Sequence, residues 1–154
     1  MMKATRLVLG IGSPIICDDG VGFKVVEALM AMDLPDLDFD QQAVSGLDFI
    51  EIMMDYQQVV VVDAIVTERY PAGTVMLLQP EDFKNAVHGS SPHEVNMHMA
   101  IELGRRLAPD RMPKDIQFVA IEVNDIWTVT DIMTEEVQDA VPKAVDAVLK
   151  VLSA

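Results

Sequence analysis

Strand-length apolar runs alternate along this chain with stretches in which apolar positions recur every three or four residues, so strands and helices are expected in turn. The first run, residues 5–12, is rich in Leu, Val and Ile on both faces. That is the composition of a strand covered by helices on both sides, and it predicts a central position. A helix is expected from about Asp19 to Met32, with Val21, Val25, Val26 and Leu29 on one stripe and Asp33-Leu-Pro-Asp36 ending it. A second strand is expected over roughly Leu37 to Val44. Gly46 then precedes a short helix, Leu47 to Met54, and Gln57 to Ile65 forms the third strand, whose consecutive valines Val59 to Val62 mark it as buried.

Tyr70-Pro-Ala-Gly73 reads as a turn and Thr74 to Leu78 as a fourth strand. The link from the third strand is too short for a helical crossover, so the fourth is expected to run antiparallel. A short helix is expected within Pro80 to Val87. Gly89-Ser-Ser91 is a loop before a marked helix start, where Ser91 and Glu94 have capping-box spacing and Pro92 takes the first helical position. Val95, Met99, Leu103 and Leu107 are the expected buried side of that helix. A fifth strand follows at about Ile116 to Val123. The last helix, about Glu135 to Leu152, would bury Val137, Val141, Val145, Val148 and Leu152, with Pro142 kinking or splitting it. The order predicts one domain over residues 1–154, a three-layer α/β/α sandwich around a twisted, mostly parallel five-stranded sheet with one antiparallel strand. No internal repeat, low-complexity tract or linker interrupts it.

Composition narrows the function. With 154 residues and 51% hydrophobic content, the chain can bury a core. A net charge of −14, from 25 acidic and 11 basic residues, would repel phosphate backbones and anionic membranes, so neither nucleic acid nor membrane is an expected partner. Cys17 is the only cysteine, which excludes an internal disulfide and a multi-thiolate zinc site and fits a reducing compartment. The first residues run into the first strand without signal-peptide sections, and no apolar stretch approaches bilayer-spanning length. A cytoplasmic location is expected.

Candidate chemistry lies where apolar runs end. Gly10-x-Gly12 after a strand resembles the start of a dinucleotide loop, but the third glycine is missing and Asp18-Asp19 would face a pyrophosphate with negative charge. Either aspartate could cap the helix that follows, leaving the other to coordinate, and spacing alone does not choose between them. Asp63 closes the valine run, at the carboxyl end of a buried strand, where acids serve as ligands or catalysts or simply bind a neighbouring loop. His93, second in its helix, sits at the positive end of the macrodipole, which disfavours imidazolium and keeps it ready to ligate. His88 and His98 lack such a position. Neighbouring carboxylates should raise the pKa of Cys17 and oppose a thiolate nucleophile. The methionines, including Met30, Met32, Met53, Met54, Met97 and Met99, have the spacing of buried helix faces.

Taken together, Leu9-Gly-Ile-Gly-Ser-Pro-Ile-Ile-Cys-Asp-Asp-Gly-Val-Gly22, Val62-Asp-Ala-Ile65, Pro71-Ala-Gly-Thr74, Ser91-Pro-His-Glu94 and Glu136-Val-Gln-Asp-Ala-Val-Pro142 resemble the hydrogenase maturation protease family over nearly the whole chain. The resemblance implies an endopeptidase that removes the C-terminal tail of a nickel-iron hydrogenase large-subunit precursor, its protein partner. It further implies Asp19, Asp63 and His93 as the metal-binding and catalytic residues, and so selects Asp19 over Asp18. The metal would be nickel carried by the precursor, with cadmium or zinc substituting in crystals. A metal could polarise the scissile carbonyl or activate water, while Asp19 and Asp63 sharing a proton would be the competing, aspartic-type chemistry. Some departures are visible. Asp19 replaces a longer glutamate found in some members, Ser13 stands where asparagine is frequent, and Gln41-Gln-Ala-Val-Ser-Gly46 keeps only the glycine of a common loop motif. Two other classes stay open, a nickel-binding assembly chaperone without proteolysis and a nucleotide-binding α/β domain.

Overall fold

A computed structural model describes residues 3–43, 47–83 and 92–154, apart from the side chains of residues 83 and 92–96. In chain order come β1 (Arg6–Ile11), α1 (Val21–Met30), β2 (Leu37–Gln42), α2 (Asp48–Met53), β3 (Gln58–Ile65), β4 (Val75–Leu78), α3 (Pro92–Leu107), β5 (Asp115–Glu122) and α4 (Glu135–Ser153), with 3₁₀ turns at Cys17–Gly20 and Pro80–Phe83. The sheet order is β2-β1-β3-β5-β4. All pairings are parallel except β4 with β5, which is the mixed sheet expected from the short link before Val75.

Alternation along each strand divides the core in two. Val8, Val60, Val62, Val119 and Ile121 face α1 and α4, whereas Leu7, Leu9, Val59, Val61, Ile116 and Phe118 face α2 and α3. Each large side chain buried this way contributes about 1.5–3 kcal/mol. Chain direction explains the division, because α1 serves a crossover leading one way along the sheet and α2 and α3 serve crossovers leading the other way. With right-handed connections the two senses must use opposite faces. β1 is therefore where the winding reverses, between β2 and β3.

Several boundaries and stripes depart from expectation. The segment read as one helix from Asp19 is a 3₁₀ turn followed by α1, because backbone at Cys17 is left-handed (φ 43) and Gly20 caps α1 without a side-chain bond. The stripe Val21, Val25, Val26 and Leu29 is buried as expected. Among the described side chains of α3, Met97, Ala100 and Ile101 are buried, while Met99 is 61% and Leu107 is 71% exposed. Small residues let α3 lie close to its neighbours: Met112 lies across Gly104, within 2.8 Å of where a Cβ would stand. α4 continues unbroken through Pro142, and its buried stripe is Val137, Ala140, Ala144, Val148 and Val151, with Val141, Val145 and Leu152 only partly covered. Met53 and Met97 are core, but Met30 and Met32 are exposed. The helix expected within Pro80 to Val87 is described as a 3₁₀ turn as far as Phe83. Val44, Gly46, the Gly89 to Ser91 loop, His88, and the side chains of Glu94 and Val95 lie outside the described residues. Among the described residues no helix is long and apolar enough to cross a membrane.

Candidate active site

The turn after β1 is built on close backbone approach. Gly12 has φ +143, and a Cβ there would lie 2.0 Å from the carbonyl oxygen of Asp19. Only glycine permits that contact, which folds the 3₁₀ turn back over the strand end. Gly22 does the same for the start of α1, where a Cβ would lie 2.5 Å from the Val62 carbonyl and 2.8 Å from that of Ile11. The first turn of α1 is thereby seated against the carboxyl ends of both β1 and β3. Within this seat the Ser13 amide donates to Asp19 Oδ2 at 2.9 Å, fixing the orientation of the half-exposed carboxylate.

Asp63 is reached from the other strand. Gly10 pairs with Val62, so Asp63 stands one residue further along, beside the end of β1. It is 5% exposed. Alternation from Val59 and Val61 puts it on the face covered by α2 and α3. α3 runs against the strands. Its carboxyl end leads into a turn tied to the amino end of β3, where Asp55 donates its amide to Arg111 O and Asp115 donates to Gln57 O. Its first turn, with His93 as the second residue, is therefore at the carboxyl edge, on the face of Asp63. The side chain of His93 lies outside the described residues. Asp19 and Asp63 thus stand at the carboxyl ends of β1 and β3, where the winding of the sheet reverses, the usual place for a ligand crevice in open α/β sheets, and the first turn of α3 starts at the same carboxyl edge.

Neither aspartate of the Asp18-Asp19 pair caps its own helix. Asp18 is fully buried and accepts the amides of Asn124 (3.2 Å), Asp125 (3.0 Å) and Thr134 (2.8 Å), together with the Thr134 hydroxyl. It ties the loop between β5 and α4 to the turn after β1. Further bonds run between the same segments, from Cys17 N to Thr130 O, Asp18 N to Asp125 O and Thr130 N to Ile15 O. Thr134, just before Glu135-Glu136, is recognisable in sequence as a helix cap, but its hydroxyl goes to Asp18 instead. Asp125 accepts the Thr128 hydroxyl and the Thr128 and Trp127 amides, which in that order pull its carboxyl down to about 2. The spacing Asp125-Ile-Trp-Thr128 could have signalled that turn. The Cys17 thiol is buried and pushed above its usual value, by burial first and then by Asp18 and Asp125, so it is poorly suited to nucleophilic work.

Among the described residues no three His, Cys, Asp or Glu side chains gather as a metal cage. Asp19 and Asp63 would need a third donor, and the first turn of α3 brings His93 to their edge. Two carboxylates and an imidazole form a borderline oxygen and nitrogen set suited to a divalent transition metal such as nickel. The Gly10-x-Gly12 turn does not suit a pyrophosphate, since the helix start behind it carries Asp18 and Asp19 and its amides are already engaged, Gly12 donating to the Gln42 carbonyl and Ser13 to Asp19 Oδ2.

The profile of the HycI hydrogenase maturation protease family matches residues 23–151. The hydrogenase 2 maturation protease of Escherichia coli is 31% identical over 97 residues, 59% of this chain and 57% of that protein's length. A Methanocaldococcus jannaschii protein, provisionally named a hydrogenase maturation protease, is 32% identical over 162 aligned positions covering 97% of each chain. In architecture, the hydrogenase maturating endopeptidase HybD of Escherichia coli superposes with a TM-score of 0.82 at 24% identity, over 96% of this chain and 91% of the other.

Proposed function

Because the chain belongs to the hydrogenase maturation protease family, we propose that it is the endopeptidase that trims the C-terminal extension from a nickel-loaded hydrogenase large-subunit precursor in the cytoplasm. What supports this reading is that Asp19, Asp63 and the first turn of α3 all stand at the carboxyl edge of the sheet, the turn that carries Asp19 being seated by backbone contacts that exclude any side chain at Gly12 and Gly22.

In this reading nickel is part of the substrate. Asp19, Asp63 and His93 ligate the ion already installed in the precursor, and that contact sets the scissile peptide beside the same carboxylates. Cleavage then follows metal insertion, because an empty precursor offers nothing for the three residues to grip. The bound ion would supply carbonyl polarisation or an acidified water. The Ser13 amide holds Asp19 in one orientation. Asp63, nearly sealed from solvent, accepts or returns a proton without competition from bulk water.

The test is incubation with nickel-loaded precursor, followed by intact-mass measurement. Wild-type protein should shorten the precursor, while Asp63→Asn and His93→Ala should slow it by about 100-fold or more. Full-rate cleavage by His93→Ala would remove nickel recognition and leave the carboxylate pair. Binding without shortening would instead favour a chaperone.

A further inference from the structure

A second built feature stands on the same carboxyl edge. A groove of about 430 Å³ opens between the segment after β3 and the loop after β5, with Glu68, Tyr70, Pro71, Asn124, Trp127 and Glu136 among its walls. Trp127, the only tryptophan, is 74% exposed, and Tyr70 is 51% exposed. Large exposed aromatics beside a cleft are the residues that most often anchor protein partners.

The walls are held from beneath. Buried Glu122 accepts the Thr67 and Glu68 amides and the Thr67 hydroxyl, and so fixes Glu68 in left-handed backbone, φ 61. A non-glycine residue kept there needs its surroundings to hold it, a pattern that concentrates at functional positions. On the other wall, Asp18 and Asp125 fix the loop that carries Trp127. Such preorganised aromatic walls lose little freedom on binding.

Charge identifies the occupant. From Asp115 to Pro142 the sequence contains no lysine or arginine, and Glu68 and Glu136 are exposed acids on the groove. Arg69 is not among its wall residues. Two aromatic faces with two carboxylates match a guanidinium or ammonium on an aliphatic stem.

We propose that this groove is a docking site for an arginine or lysine side chain on the folded body of the precursor, held between Trp127 and Tyr70 and paired with Glu68 and Glu136. This rests on the function proposed above and supplies it with a second point of attachment. The body of the precursor is gripped at the groove, while its tail reaches Asp19 and Asp63.

The experiment measures binding of nickel-loaded precursor by calorimetry, and shortening by mass, for wild type, Trp127→Ser and Glu68→Gln/Glu136→Gln, with thermal unfolding as the check on fold. Trp127→Ser should weaken binding by about ten-fold or more. The double variant should weaken it too, by a factor that shrinks as salt is raised. Both should raise KM far more than they lower kcat. Equal binding by wild type and both folded variants, whether tight or absent, would overturn the inference. So would a wild-type dimer that Trp127→Ser converts to monomer, since a second copy would then own the patch. Weakened binding without shortening by wild type would uphold the groove and reject the peptidase, so the two failures are distinct.

Discussion

Asp18 offers the sharpest test of how the site is held. Replacing it with alanine strips the acceptor from three backbone amides and one hydroxyl in a position closed to solvent. A hydrogen bond to a charged group contributes about 1.5–3 kcal/mol, but the four share one acceptor and water can enter the vacated space, so their sum overstates the loss. About 3–5 kcal/mol is the expected destabilisation, a large part of the roughly 5–15 kcal/mol that holds a domain together. At this chain length the melting midpoint should fall by roughly 6–20 °C. Asp18→Asn should lose less, because one oxygen remains and only its amide group is turned against a donor. Trp127 lies on the tethered loop, so its fluorescence anisotropy reports local loosening while circular dichroism in urea reports global stability. An Asp18→Ala protein within about 0.5 kcal/mol of wild type, with Trp127 anisotropy unchanged, would refute the idea that this carboxylate holds the loop.

Gly12→Ala should both strain left-handed backbone and drive a methyl into the Asp19 carbonyl, with a loss of at least about 1–3 kcal/mol and of precursor cleavage. Wild-type melting and turnover by that variant would contradict the contact. Asp125 is held below its ordinary 3.8, at about 2, by bonds from Thr128 and Trp127, so its contribution to stability is present above pH 3.8 and is lost as pH falls toward 2. Trp127 emission should change in that window in wild type and stay flat in Asp125→Asn, and identical titrations would reject the assignment. Cys17, its thiol pushed above the usual range by burial and then by the neighbouring acids, should resist iodoacetamide at pH 8 in the folded protein and react at once in urea. Rapid native alkylation, followed by mass, would show the thiol to be open.

The fold class was readable because its signals are local. The valines of β3, the short link before β4 and the two-sided hydrophobicity of β1 each follow from the layer an element occupies. What misled was contact between distant elements. Met99 and Leu107 have helical spacing, yet α3 joins the core beneath the sheet through Met97, Ala100 and Ile101, a choice made by the packing partner and not by the helix. The same holds for Ala140 and Ala144 in α4. By spacing either Asp18 or Asp19 could cap the next helix, and Asp18 instead serves amides more than a hundred positions away. Nothing in a local window pairs Asp18 with Thr134, nor Glu122 with Thr67. Asp19 and Asp63 drew notice for a simpler reason, that an acid beside a glycine turn or after four valines stands out from its neighbours.

The pairing of α1 with α4 also governs when this polypeptide can finish folding during synthesis. Val21, Val25 and Leu29 are covered by Val137, Ala144 and Val148, and the Arg6 guanidinium near the start reaches the carbonyl of Leu152 at 3.0 Å. A nascent chain that has already laid down β1, α1, β2 and β3 therefore still displays the apolar stripe of α1, and the part of that sheet face reserved for α4, to the crowded cell. That surface stays open until residues 135–153 clear the ribosome, and sticky intermediates of this kind are what holding chaperones bind. An amino-terminal fragment ending before Glu135 would be an aggregation hazard and not a reduced enzyme.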